Sequence, residues 1–199
     1  MAEVPAKLGR GEYVEWLRVK VHDLDVPANA RNRAALAAFA IAQTHHHAIV
    51  LLSEFQLFAS AFSLLRSCFE AYVRGQWLLN CASDAQLDAF LAGGDPPAFG
   101  ALISTLENVP GFEDKVLSGI KTQHWRSLCA YTHSGSLHLQ RWQSEAAVEP
   151  SYSAEEIEEV LSFAEVLGSI AAVAILGVAE QTALADEVVD AFRERGHAA

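Results

Sequence analysis

Apolar residues recur at helical spacing along most of the chain. The clearest run follows Ser153 and places six residues on one helix face: Ile157, Val160, Leu161, Ala164, Leu167 and Ile170. Alternation with a period of two, which indicates half-buried strands, is nearly absent. The pattern therefore predicts an all-α fold, an up-and-down bundle of about four long helices with shorter helices added.

Capping residues, glycines and prolines set the predicted limits of these helices. Asn29 is a predicted N-cap, Ser83 begins a short helix that ends at LAGGDPP, and Ser153 forms a capping box with Glu156. Gly135 is predicted to close its helix in a left-handed C-cap. The other predicted helices cover residues 12–25, 29–52, 54–81, 99–108, 111–119, 120–134 and 153–184, and a short amphipathic helix ends the chain, whereas 136–152 is predicted to be irregular.

The 199 residues, 51% of them hydrophobic, predict a single helical domain. Its parts are an N-terminal helix and turn (1–28), a bundle core (29–184) and a C-terminal helix (185–199). Three widely spaced cysteines favour a reduced, cytoplasmic protein. No signal peptide begins the chain, and two apolar segments, 34–53 and 166–179, are interpreted as buried helices, so no membrane partner is expected.

Charge argues against a general nucleic-acid binder. The net charge is −11, and residues 154–199 alone hold ten acids and two arginines, which gives −8. Phosphate repulsion opposes the association of such a chain with DNA. We therefore expect no duplex DNA partner, although a small basic site within one cleft remains compatible with this charge.

Arg66 and Glu70 lie one turn apart in the predicted helix over 54–81. A helical projection places both within its aromatic stripe, with Arg74 at the edge of the stripe. Charges on an apolar face need partners, because burial without them costs several kcal/mol, roughly 3–5 when one partner is missing. Three interpretations remain: a buried ion pair that fixes helix register, the wall of a polar cleft, or a face covered in a dimer.

The segment WRSLCAYTHSGSLH, residues 125–138, is the richest in candidate chemistry. Arg126 and His133 are seven residues apart, so a helix places them on one face. Tyr131 and His124 are predicted to face the core, and His138 follows in the irregular segment. A fixed cation and a titratable imidazole together are suited to holding a phosphate and moving a proton at it.

This spacing resembles the Arg-x(4–6)-His motif of HEPN domains, which are helical modules found among metal-independent ribonucleases, toxins and defence proteins. The resemblance implies that Arg126 anchors a scissile phosphate. His133 would then act as general acid and base while the RNA 2′-OH attacks. It also implies that the site is composed across a homodimer.

A broader resemblance covers roughly residues 34–184. LLRSCFEAYVRGQWL, then AYTHSGSLH, then a capped acidic helix look like bacterial helical families of unknown function. That resemblance implies no known activity. It does imply that five residues share one site: Arg66, Glu70, Tyr131, His133 and His138.

Three consecutive histidines, at 45–47, suggest a metal site at first sight. Neighbouring helical residues diverge by about 100°, so the three cannot all bind one ion. We expect one buried, hydrogen-bonded His and two at the surface or an interface, and neither a metal site nor a cofactor. The sequence leaves three functions open: a regulatory module that binds a small ligand or a partner, a HEPN-like ribonuclease acting on RNA, and a metal-dependent hydrolase.

Overall fold

The computed structural model describes residues 8–144 and 146–196, and these residues form nine helices and no strand. The predicted all-α class is confirmed. The helices are α1 (Arg10–Lys20), α2 (Ala30–Glu54), α3 (Phe58–Asn80), α4 (Asp84–Leu91), α5 (Phe99–Leu106), α6 (Val116–Thr132), α7 (Ser136–Gln140), α8 (Ala154–Val178) and α9 (Thr182–Glu194).

Four long helices, α2, α3, α6 and α8, enclose the main core, with α3 packed against the other three. Phe39, Phe62 and Phe69 are fully buried there. Gly75 lets α2 and α3 approach closely, because a Cβ at that position would lie 2.5 Å from the Phe39 ring. A second, smaller core joins α1, α8 and α9 around Tyr13.

Three predicted N-caps are present. The Asn29 side chain accepts a hydrogen bond from the backbone of Asn32 at 2.8 Å. Ser83 and Ser153 each form a reciprocal capping box, the latter with Glu156. These short-range bonds satisfy backbone N–H groups that a helix start leaves unpaired.

Left-handed residues move several predicted helix limits. Gln56 at φ 57° separates α2 from α3, so α3 begins at Phe58 instead of residue 54. Glu180 at φ 57° ends α8 at Val178, and the predicted limit near 184 therefore falls inside α9. The predicted helix over 111–119 is wrong, because turns lead directly into α6 at Val116, and the first helix ends at Lys20 instead of residue 25.

The end of α6 also differs from the prediction. Ser134, at φ 51°, occupies the left-handed position, whereas Gly135 has φ −70° and is the N-cap of α7. The Gly135 N–H donates to the carbonyl of Ala130 at 2.7 Å, which is the bond of a Schellman C-cap. The predicted irregular segment thus starts with a short helix, α7.

Two helices are long and apolar enough to cross a membrane by length and composition. They are α2, with a mean hydropathy of 1.4, and α8, with 2.1. In the most apolar window of α8, 56% of the residues are buried, against 39% in α2. The core helices of soluble bundles have the same composition.

Candidate functional site

Arg66 on α3 makes three contacts through one guanidinium. Its Nε donates to Glu70 Oε1 at 2.7 Å, and its Nη1 donates to His133 Nε2 at 2.5 Å. The guanidinium carbon also lies 4.7 Å from the centre of the Trp125 ring. A guanidinium has no acceptor, so Arg66 donates in this bond and His133 Nε2 accepts.

The side chains of Arg66 and Glu70 keep 22% and 21% of their surface exposed. This places the pair at the edge of the bundle, neither sealed in the core nor fully solvated. Arg74, one turn further along α3, approaches the second oxygen of Glu70 at 3.7 Å, which is an ion pair but not a hydrogen bond. Its Nε atom is buried and finds no hydrogen-bond partner among the described residues.

Trp125 supports the guanidinium from α6. Its ring stacks on Phe99 at 4.7 Å, with 14° between the planes, and Lys121 Nζ lies 6.0 Å from its centre. We name the set Arg66, Glu70, Arg74, Lys121, Trp125 and His133 the Arg66 cluster. It holds three basic side chains and one carboxylate, on a chain whose net charge is −11.

Arg126 does not join this cluster through any contact within residues 8–144 and 146–196. Its side chain is exposed, and it forms no hydrogen bond or ion pair with the part of the chain described. His133 is also exposed and turns towards Arg66 on α3. His124 is exposed as well, so the prediction that it faces the core is wrong.

The buried His138 belongs to a separate, aromatic cluster. Its Nδ1 donates to the Tyr131 carbonyl at 2.9 Å, and its Nε2 accepts from the Tyr152 hydroxyl at 3.0 Å. The Tyr152 oxygen in turn accepts from Trp142 Nε1 at 3.2 Å. Both ring nitrogens of His138 are therefore used in tying α7 to α6 and to the start of α8.

Tyr131 is half-buried within the aromatic cluster. Its ring packs edge-on against Phe62 at 5.0 Å and against His138 at 5.3 Å. Burial raises the pKa of the Tyr131 phenol, and burial also raises the pKa of Tyr152. Both phenols stay neutral at neutral pH. The five residues predicted to share one site thus divide between two neighbouring clusters.

His46 is the buried member of the histidine run, and it differs from its prediction. Both ring nitrogens are buried with no hydrogen-bond partner in the described structure. Burial lowers the pKa of His46 to about 4, so the ring is neutral. It packs against Gly168 on α8, where a Cβ would overlap the ring. His45 and His47 are only partly buried.

Sequence reasoning missed Trp125 and Lys121 as members of the polar site. The available signal was their spacing of four residues, directly before Arg126, which places both on one helix face. A tryptophan at such a position packs in a core more often than it supports a guanidinium. The role of Trp125 is identified only by the packing of α3 against α6, which brings the Arg66 guanidinium over the Trp125 ring.

The architecture and this cluster define the chain as a helical bundle with a basic, partly exposed polar site. The chain belongs to a family described as "Family of unknown function (DUF6988)", whose model matches residues 39–195. No curated protein and no solved structure matches the chain. The match includes α3, α6 and every residue of the Arg66 cluster.

Proposed function

We propose that this protein is a cytoplasmic regulatory module that binds a small anionic ligand at the Arg66 cluster. The observation that supports this is the state of Arg66. Its guanidinium is held by Glu70, Trp125 and His133, so little side-chain entropy is lost when an anion binds to its remaining N–H groups. Planar guanidinium donors suit carboxylate and phosphate oxygens.

Two further features support an anion as the ligand. The buried Nε of Arg74 lacks a hydrogen-bond partner in the described residues, and an unpaired buried donor is costly. The cluster also concentrates three cations on an acidic chain, so it attracts an anion locally.

The experiment measures the melting temperature of the full chain against inorganic phosphate, with chloride at matched ionic strength as the reference. A ligand that binds only the folded state raises this temperature. We expect phosphate to stabilise the wild type and not the Arg66→Met variant. Isothermal calorimetry on the same proteins supplies the affinity.

The matched control is Arg18→Met. Arg18 is an exposed arginine on α1 that is bonded to Glu15, as Arg66 is bonded to Glu70. It should keep the phosphate response of the wild type. An equal response from wild type and Arg66→Met would contradict the proposal, because any binding would then occur elsewhere.

A second candidate function is a HEPN-like, metal-independent ribonuclease. The exposed guanidinium of Arg126, which has no partner within residues 8–144 and 146–196, favours it, together with the exposed His133 seven residues further along. For catalysis, His133 must exchange its bond to Arg66 for contact with the RNA. The ribonuclease hypothesis therefore requires Arg66 to release this imidazole when substrate binds.

Cleavage of RNA in excess EDTA tests this candidate. If it is correct, the wild type leaves cyclic-phosphate ends, and both Arg126→Ala and His133→Ala lose the activity. His124→Ala is the matched control, since His124 is an exposed histidine on the same helix. Cleavage that survives in His133→Ala would exclude the assigned role.

No observation favours the metal-dependent hydrolase. Within the described residues, no three His, Cys, Asp or Glu side chains are grouped so that they could hold a metal ion. The ligand-binding module and the ribonuclease thus remain the two functions that specific side chains support.

A further inference from the structure

The outer face of α2 carries apolar side chains that no described part of the chain covers. Ile41 and Leu51 keep 51% and 42% of their surface exposed, and Phe55 keeps 75%. Six residues share this face, and we name them the α2 seam: Ala37, Ile41, Thr44, Ala48, Leu51 and Phe55. An apolar helix with so little of its surface buried indicates a missing partner.

The spacing of the α2 seam is that of a helix that pairs with another helix. Its members are separated alternately by four and three residues, the a/d pattern of a coiled coil. No charged residue lies between Arg33 and Glu54. The Thr44 hydroxyl donates to the Ala40 carbonyl at 2.9 Å, which satisfies it within α2 and leaves its methyl group for an apolar contact.

We propose that a second copy of this chain covers the α2 seam, as an antiparallel pair of α2 helices centred on residue 46. In that register Ile41 faces Leu51 of the other copy and Thr44 faces Ala48. Ala37 faces Phe55, so the smallest and the largest side chains of the seam meet. An identical copy supplies every partner, which is the condition for a two-fold symmetric interface.

Charge selects the antiparallel direction. Arg33 lies at the start of the seam and Glu54 beside its end, and both are exposed. An antiparallel pair brings these unlike charges to the same end of the interface. A parallel pair would instead bring like charges together, which is unfavourable. His45 and His47 flank the seam on opposite sides, so the histidine run places one ring in the core and two beside the interface.

A cavity adjoins the α2 seam. It has a volume of about 430 Å³ and lies between α2, α8 and the segment after α1. Leu36 and Ala40, which line it, flank Ala37 on α2. Val21 and Leu24 supply further apolar surface. Thr44 of the α2 seam also lines the cavity, so it opens beside the proposed interface.

Sedimentation of the full chain tests the interface. We expect a dimer for the wild type and a monomer for both Ile41→Glu and Leu51→Glu at the same concentration. Leu91→Glu and Val116→Glu are the matched controls, because they place the same charge on exposed apolar positions of α4 and α6. Circular dichroism verifies that each variant keeps its helices.

Disulfide trapping tests the orientation. In a Cys81→Ser, Cys129→Ser background, chains carrying Ile41→Cys are mixed with chains carrying Leu51→Cys and oxidised. A mixed disulfide as the main product supports the antiparallel pair, whereas disulfides between identical chains contradict it.

A monomeric wild type would overturn the proposed dimer, and so would a dimer that both seam glutamates leave intact. A monomer that binds anionic phospholipid vesicles through Ile41 and Leu51 would also overturn it, because the seam would then face a membrane. None of these results depends on phosphate binding at Arg66, so this proposal and the ligand-binding function fail separately.

Discussion

Two charged clusters in this protein use the same residue types in different surroundings. At the Arg66 cluster, the carboxylate of Glu70 is one-fifth exposed. Glu165 on α8 has a side chain only 1% exposed, and it binds Arg195 at 2.5 Å and Arg10 at 3.0 Å. The carboxylate of the first cluster lies at the open edge of the bundle, whereas Glu165 and Arg195 of the second are enclosed.

The polar atoms around Glu165 hold distant parts of the chain together. Arg195 also donates to the Leu8 carbonyl at 2.7 Å and lies 4.2 Å from the centre of the Tyr13 ring. The cluster thus fastens α1 and the residue after α9 onto α8. At the Arg66 cluster, a buried donor of Arg74 remains unpaired within the described residues. The comparison teaches that a completed network stabilises the fold, whereas an incomplete one near solvent is suited to a ligand.

The largest expected effect follows from Glu165→Gln. Removing the charge breaks the buried ion pair with Arg195, whose side chain is 8% exposed, and loss of one charge of such a pair costs roughly 3–5 kcal/mol in free energy of unfolding. Urea denaturation followed by circular dichroism measures this loss.

Glu158→Gln is its control. Glu158 also pairs with Arg10, but its side chain is 64% exposed, so we expect a loss below about 1 kcal/mol. Equal losses in the two variants would contradict the contrast between enclosed and open clusters.

Gly168→Ala should have the next largest effect. A methyl group there overlaps the His46 ring, and overpacking of this kind costs about 1–3 kcal/mol. Gly177→Ala, on the same helix with open space around its Cβ, should instead be neutral or stabilising. Thermal unfolding compares the melting temperatures of the two variants. A Gly168→Ala protein as stable as the wild type would contradict the prediction, because α2 and α8 would then separate easily enough to admit the methyl group.

His46 should make stability depend on pH. Its pKa lies near 4 in the folded chain and near 6.5 when unfolded, so the unfolded state binds the proton more readily. The contribution of the neutral His46 ring to the free energy of unfolding is fully present above pH 6.5 and is lost as the pH falls through 4. We expect the wild type to lose more free energy of unfolding over this range than His46→Leu. Parallel curves for the two proteins would exclude this role.

Arg66→Met should lower the free energy of unfolding less than Glu165→Gln or Gly168→Ala does. The methionine keeps part of the packing on Trp125, and a partly exposed ion pair contributes about 1 kcal/mol or less. The same urea denaturation experiment measures it. A loss as large as that of Glu165→Gln would make the Arg66 cluster a structural element and weaken the case for a ligand.

Local chemistry explains which parts of the fold were predictable. Asn29, Ser83 and Ser153 cap their helices through bonds that span three residues, so their neighbours in sequence suffice to identify them. The left-handed positions at Gln56 and Ser134 were missed, because neither is a glycine and nothing local requires that conformation there.

The helical class, the main caps and the Arg66–Glu70 contact follow from local sequence, since that contact joins residues one turn apart. Tertiary packing brings Arg66 to His133, which is 67 residues away, and leaves Arg126 without a contact to the cluster among the described residues. Periodicity could not predict this, because it fixes only the direction of a side chain around its own helix axis. Which helix lies in that direction depends on how α3 and α6 pack, and therefore on the whole core.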